Sequence, residues 1–222
     1  MDNEEQVRKE KAVKPDVVEG FFTPAFIYAF RLLFRPLSRF LLRHHTTPNT
    51  VTFLSLVLGV ITGISFALNH LWLGFFFGLS MGFSDIVDGQ LAKDFGGKTR
   101  FGAVLDSTVD RLNEFFAFAG YSIRYFFLGQ PIWITVCAIA FFGSIMISYV
   151  KARAEAEGFT CKVGRLQRPE RLTLLAIGTL IACLGFDIGI DIAVLFLAIS
   201  TQFTVIYRIL HVYRQSESRQ ER

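Results

Sequence analysis

Residues 84 to 111 read SDIVDGQLAKDFGGKTRFGAVLDSTVDR and carry four aspartates at paired helical spacing. Asp85 and Asp88 are three apart, and Asp106 and Asp110 are four apart. Either spacing puts both carboxylates on one face of an α-helix. The KDFGGKTRF segment between them, with Gly96 and Gly97, lets the chain turn so that two antiparallel helices bring all four carboxylates together. Like charges in an apolar surround raise one another's pKa values, so four acidic groups share such a site only if something neutralises them. A pair of divalent cations does this, and all-oxygen ligands select Mg²⁺ or Mn²⁺ over zinc or copper. Two bridged metals suit displacement at phosphorus, where charge on equatorial oxygens must be neutralised. The plainer reading is helix caps or solvated loop charges. It suits Asp85 and Asp106 poorly, because both lie well inside apolar runs.

Small residues accompany the carboxylates. Gly89 and Ala92 follow Asp88, and Gly102 precedes Asp106 by about one turn. They let either a flat ligand or a neighbouring helix approach the backbone. A second set of residues is basic. In SYVKARAEAEGFTCKVGRLQRPERL, residues 148–172, Ser148 and Lys151 share a helix face and Arg168 and Arg171 are one turn apart. Arg208 lies within a late apolar run. Basic side chains converging beside a metal site read as a phosphate pocket, since desolvated Arg and Lys bind anions well. Ordinary cationic charge at helix ends is the alternative for Lys151, Arg168 and Arg171, and a weaker one for Arg208.

The elements that position these groups belong in a membrane. Of 222 residues, 52% are hydrophobic, only 19% are charged and 25 are Phe, with mean hydropathy +0.42. A soluble chain of this size cannot hide that much apolar surface. The net charge of +4 fits anionic headgroups rather than nucleic acid. Cys137, Cys161 and Cys183 have neither disulfide nor zinc spacing. Residues 1–19 form a polar tail without the apolar stretch of a cleaved signal peptide. Residues 20–45 repeat arginine every four positions (Arg31, Arg35, Arg39, Arg43) among Phe and Leu, which predicts an amphipathic juxtamembrane helix lying in the interface. Residues 46–212 hold six apolar segments, at about 50–69, 72–92, 103–126, 131–151, 172–186 and 189–210, and most reach the ~20 residues a bilayer demands. Residues 213–222 form a C-terminal tail. With six alternating spans, 22 of the 23 Lys and Arg fall on one side and only Arg124 on the other. The expectation is an all-α integral membrane protein in the cell membrane, with both termini and the carboxylates at the cytoplasmic face.

The ordered run Asp85-x2-Asp88-Gly89-x2-Ala92, then Gly102-x3-Asp106-x3-Asp110, resembles the signature of the CDP-alcohol phosphotransferases. One position departs from it: Lys93 stands where the family has Arg, which keeps the charge but loses the bidentate fork. The six-span layout, the amphipathic helix and the TPNTVT segment, residues 47–52, are also similar to that family. The resemblance implies a homodimeric six-helix enzyme that moves the phosphoryl-linked half of a CDP-lipid to an acceptor hydroxyl and releases CMP. It implies two Mg²⁺ or Mn²⁺ ions on Asp85, Asp88 and Asp106, with Asp110 as general base and second-metal contact. Asn49, Thr52, Gly89, Ala92, Lys93 and Thr99 would hold the CDP-lipid. The YVKARAE and RPER elements resemble the subgroup that joins CDP-diacylglycerol to inositol phosphate, which makes Ser148, Lys151, Arg168, Arg171 and Arg208 the acceptor-phosphate residues. Phosphatidylglycerophosphate synthesis from glycerol 3-phosphate is the alternative within the family. An ion-coupled transporter is the alternative outside it, although one would need carboxylates accessible from both faces.

Overall fold

The computed structural model describes residues 24–44, 46–94, 99–161, 163–164 and 166–220. The polar tail of residues 1–19 and the Gly96-Gly97 turn lie outside the described residues, as does the Lys93 side chain. Among the described residues there are seven α-helices and no strand: α1 (Pro24–Arg43), α2 (Pro48–Ala67), α3 (Leu71–Asp94), α4 (Arg100–Phe127), α5 (Pro131–Ala156), α6 (Arg168–Cys183) and α7 (Ile188–Gln220).

Local chemistry sets several of these boundaries. The Thr47 hydroxyl accepts from the Thr50 amide at the start of α2, with Pro48 in the first turn, where its missing N–H costs nothing. The Thr99 hydroxyl accepts from the Gly102 amide at 2.9 Å and caps α4. At α6 the Gln167 amide donates to the Glu170 carboxylate at 2.6 Å, so that helix starts at Arg168, ahead of the apolar run that begins near residue 172. Gly129 and Gly185 adopt φ of 69° and 99° and close two tight connections. The last helix continues to Gln220, through most of the expected tail.

Among the described residues, four helices are long and apolar enough to cross a bilayer: α2, most of α3 (Leu71–Ala92), α5 and most of α7 (Ile188–Glu217). This is fewer than the six spans expected from the apolar pattern. Helix α6 has 16 residues and reaches only about 24 Å, short of the ~30 Å hydrocarbon core. Helix α4 is long enough but carries Asp106, Asp110, Arg111, Glu114 and Arg124. Outward-facing Phe53, Phe76, Phe126, Phe127 and Phe203 are each more than half exposed. So much bare aromatic surface is stable only against lipid.

Helix α2 packs closely on both α3 and α4, whereas α3 and α4 do not pack closely on one another. The α2–α4 seam is built from glycine. A Cβ on Gly120 would sit 2.3 Å from the Gly63 carbonyl, and one on Gly59 would sit 2.1 Å from the Asn113 side chain. No larger residue permits this approach. Away from the carboxylates the core is aromatic, with Phe66 stacked on Tyr121 at 4.4 Å and Phe118, Tyr125 and Leu197 buried around them. At that end the buried Arg124 donates to Asn69 and pairs with Asp187, both at 2.7 Å, while Tyr125 donates to Asp191 at 2.5 Å. These bonds tie the α2–α3 and α6–α7 connections and the start of α7 to the end of α4. Helix α1 docks on α3 through Phe34, Leu41 and Leu42 against Val87 and Leu91, with Val51 of α2 in the same cluster and Ser38 donating to Gln90 at 2.7 Å. Its other side forms a cleft lined by Leu32, Arg35, Pro36, Arg39, Phe40 and Arg43.

Candidate active site

Helix α3 supplies Asp85 and Asp88, and α4 supplies Asp106 and Asp110. Across the gap that α2 spans, Asp106 acts on Asp85, Asp88 and Asp110, and Asp85 acts on Asp88 and Asp110. Helix α2 meets them with hydroxyls. Thr52 donates to Asp88 Oδ2 at 3.0 Å, and Ser55 donates to Asp85 Oδ1 at 3.3 Å. The Ser55 oxygen in turn accepts from Asn113 Nδ2 at 2.8 Å, which fixes the direction of its proton. Thus α4 orients a carboxylate of α3 through a residue of α2.

Among the described residues, the cation bonded to these carboxylates is Arg168, the first residue of α6. Its Nη1 lies 2.5 Å from Asp85 Oδ2 and 2.8 Å from Asp110 Oδ1, so one nitrogen bridges the two aspartate helices. Its Nε and Nη2 are buried and have no hydrogen-bond partner. Nearby, Arg171 Nη2 pairs with Glu114 at 2.7 Å, both side chains being only 3% exposed, and its Nη1 donates to the Leu166 carbonyl. Arg208 donates from Nε to the Val163 carbonyl at 3.0 Å and from Nη1 to the Ile147 carbonyl at 2.6 Å. Arg171 and Arg208 are in electrostatic range of each other, and both Arg208 and Lys151 act on the Cys161 thiol. Burial raises the pKa of that thiol, opposed by the two cations. Lys151 is 3.9 Å from Glu155. Ser148 is half-buried next to Ile147.

The residues expected to meet the CDP-lipid divide into three groups. Asn49, Thr99 and Gly102 converge: a Cβ on Gly102 would meet Thr99 Oγ1 at 2.9 Å and Asn49 Oδ1 at 3.0 Å. Thr52 and Gly89 lie beside Asp88. A Cβ on Gly89 would meet nothing within 4 Å, so this glycine borders open space. Ala92 is buried. Ser55, Asn113 and Glu114 were not anticipated. The signal for Ser55 is its place on one face of α2 with Thr52, Gly59 and Gly63, a polar and small stripe in an otherwise apolar helix.

Among the described residues no three His, Cys, Asp or Glu side chains form a closed metal cage. The arrangement nevertheless fits divalent ions. Its donors are all carboxylate oxygens, and Asp85 and Asp110 already hold a cation between them.

The family model for CDP-alcohol phosphatidyltransferase matches residues 45–206, which include all four aspartates, Arg168, Arg171 and all of α2. The chain belongs to the CDP-alcohol phosphatidyltransferase family. It is 36% identical over 198 residues to the phosphatidylinositol phosphate synthase of Mycolicibacterium smegmatis, covering 87% of this chain and 89% of the relative. The synthase of the same name from Corynebacterium glutamicum is 33% identical over 186 residues, 81% of this chain and 84% of that one. Among solved structures, Mycobacterium tuberculosis phosphatidylinositol phosphate synthase with CDP-DAG bound superposes with a TM-score of 0.75 at 32% identity, over 80% of this chain and 92% of that chain. The same enzyme in complex with manganese and citrate gives 0.74 at 33% identity, over 80% and 88%.

Proposed function

We propose that this membrane enzyme transfers the phosphatidyl group of CDP-diacylglycerol to a hydroxyl of inositol phosphate and releases CMP. The observation that carries this reading is the juxtaposition of four carboxylates with Arg168, whose unused buried donors lie beside them. The sequence likeness to phosphatidylinositol phosphate synthases supports the same acceptor. The chain's 46–212 region forms the catalytic domain of six spans, with α4 and α6 crossing as charged or short helices inside the bundle. Both termini and the carboxylates face the cytoplasm, α1 lies in the interface, and the enzyme works as a homodimer.

Asp85, Asp88 and Asp106, with a contribution from Asp110, hold two Mg²⁺ or Mn²⁺ ions, which when bound neutralise charge on the reacting phosphoryl oxygens. Asn49, Thr52, Gly89, Lys93 and Thr99 place the cytidine diphosphate end of the lipid, and Ala92 keeps α3 slim there. Asp110 takes the proton of the acceptor hydroxyl as its oxygen attacks the phosphorus that bears the diacylglycerol. The new P–O bond replaces the pyrophosphate P–O bond, and CMP leaves with that electron pair. Arg168 and Lys151 hold the acceptor's phosphate next to Ser148. Arg171 and Arg208, whose donors are largely committed, complete the pocket wall and its positive field.

The test is CMP release by purified protein in nanodiscs containing CDP-diacylglycerol and Mg²⁺, with inositol phosphate, inositol or glycerol 3-phosphate as acceptor. Release with inositol phosphate alone is expected. Turnover only with glycerol 3-phosphate would move the enzyme to phosphatidylglycerophosphate synthesis, and turnover with free inositol would remove the phosphate pocket.

A further inference from the structure

Arg168 holds two oxygens that the metal ions also need. A guanidinium held against these oxygens repels an incoming divalent cation and takes lone pairs that the cation would use, so Arg168 competes with metal at Asp85 Oδ2 and Asp110 Oδ1. The charge count sharpens this. Among the described residues Arg168 is the cation bonded to these four aspartates, and its single charge does not balance four carboxylates. Two divalent ions cancel all four, and Arg168 then has no counter-charge in the site, because the nearby Glu114 is already paired with Arg171. A guanidinium at 20% exposure with two unpartnered donors is costly to leave without an anion. Only a substrate can bring one.

We propose that Arg168 is an exchangeable counter-ion that couples metal loading to capture of the acceptor's phosphate. Before loading, it braces Asp85 against Asp110. On loading, it releases both oxygens and turns its whole fork to the phosphate, a geometry that suits bidentate contact. Metal and phosphorylated acceptor therefore strengthen each other's binding, and by linkage they do so equally. An acceptor lacking the phosphate gains nothing from the released fork. This inference rests on the proposed acceptor, and its test involves no turnover.

The measurement is Mn²⁺ binding by electron paramagnetic resonance to the full chain in zwitterionic nanodiscs without CDP-lipid. In the parental protein, saturating inositol phosphate should lower the Mn²⁺ Kd by about 5–150-fold, the range of typical coupling energies, and free inositol should leave it unchanged. Arg168→Gln should bind Mn²⁺ several-fold more tightly without acceptor and show little further gain from inositol phosphate. Arg168→Lys, which keeps a charge between Asp85 and Asp110 but lacks the fork, should bind Mn²⁺ about as the parent does and show reduced coupling. Direct contact between the phosphate and the metal would persist in both variants, so coupling of parental size in either one would overturn the exchange. Weaker or unchanged Mn²⁺ binding by Arg168→Gln would overturn it as well. Should Arg168→Gln not fold, the Arg168→Lys coupling decides alone. If coupling is absent while CMP release with inositol phosphate persists, the exchange falls and the assigned reaction stands.

Discussion

Arg171 and Glu114 are expected to stabilise the bundle before they serve any substrate. Their charged atoms lie 2.7 Å apart and each side chain is 3% exposed, so neither charge can turn to water if its partner is removed. Breaking a buried pair by deleting one member costs about 3–5 kcal/mol, because the survivor is left desolvated and alone. For a chain of this length each kcal/mol moves the midpoint by roughly 2–4 °C, so Arg171→Ala should lower the thermal midpoint by about 6–20 °C. Glu114→Gln should destabilise in the same direction. The double variant Arg171→Met, Glu114→Leu should recover most of the loss, since it removes both charges and keeps the volume. The assay is thermal unfolding in detergent followed by far-UV circular dichroism, with acceptor KM measured at low temperature on protein that remains folded. An Arg171→Ala protein that melts with the parent but has lost acceptor affinity would refute the reasoning and make Arg171 a substrate ligand first.

Excess EDTA should abolish CMP release and Mg²⁺ or Mn²⁺ should restore it, while Asp85→Asn, Asp88→Asn and Asp106→Asn should each lose Mn²⁺ binding; a variant that keeps it has no metal role. Gly120→Ala should lower the unfolding midpoint, since overpacking costs about 1–3 kcal/mol and its new methyl would lie 2.3 Å from the Gly63 carbonyl. Gly89→Ala, which has open space around its new methyl, should melt with the parent yet raise the KM for CDP-lipid, as measured by CMP release. In a cysteine-free background, a single Cys at Gly129 should react with an impermeant thiol reagent from outside intact cells and one at Gly158 should not; the reverse would invert the orientation.

The carboxylates were legible because helical periodicity is local: spacings of three and four put Asp85 with Asp88 and Asp106 with Asp110, whatever the rest of the chain does. Turn chemistry was equally local at Asn69, Gly129 and Gly185, where tight connections are found. Pairings between distant helices were not legible. A glutamate in an apolar helix announces that it needs a partner, but nothing local says that Glu114 finds Arg171. Nothing local assigns Ser55 a distant partner, since serine in an apolar helix can satisfy its own hydroxyl on a preceding carbonyl. Its bonds to Asp85 of α3 and Asn113 of α4 depend on how closely both helices approach α2, and the Gly59–Gly63 stripe sets the α2–α4 distance only once those two helices meet. Only four of the described helices meet a length-and-hydropathy test, for a related reason. Hydropathy scores a helix against lipid, whereas α4 pairs its buried charged groups within the protein, Glu114 with Arg171 and Arg124 with Asp187 of the α6–α7 connection.

The Arg124 tie also bears on permeability. A membrane enzyme that admits a nucleotide-linked lipid, an ionic acceptor and metal ions to a nest of carboxylates has built most of an ion pathway. What keeps such a protein from short-circuiting the membrane is the rest of the bundle. Beyond the glycine seam the interior is closed by the Phe66–Tyr121 stack and its apolar neighbours. At the far end Arg124 fastens Asn69 and Asp187 to α4, and its charge is balanced there by Asp187. A bundle closed in this way at one end confines the proposed chemistry to the carboxylate end, where turnover need not discharge the membrane potential.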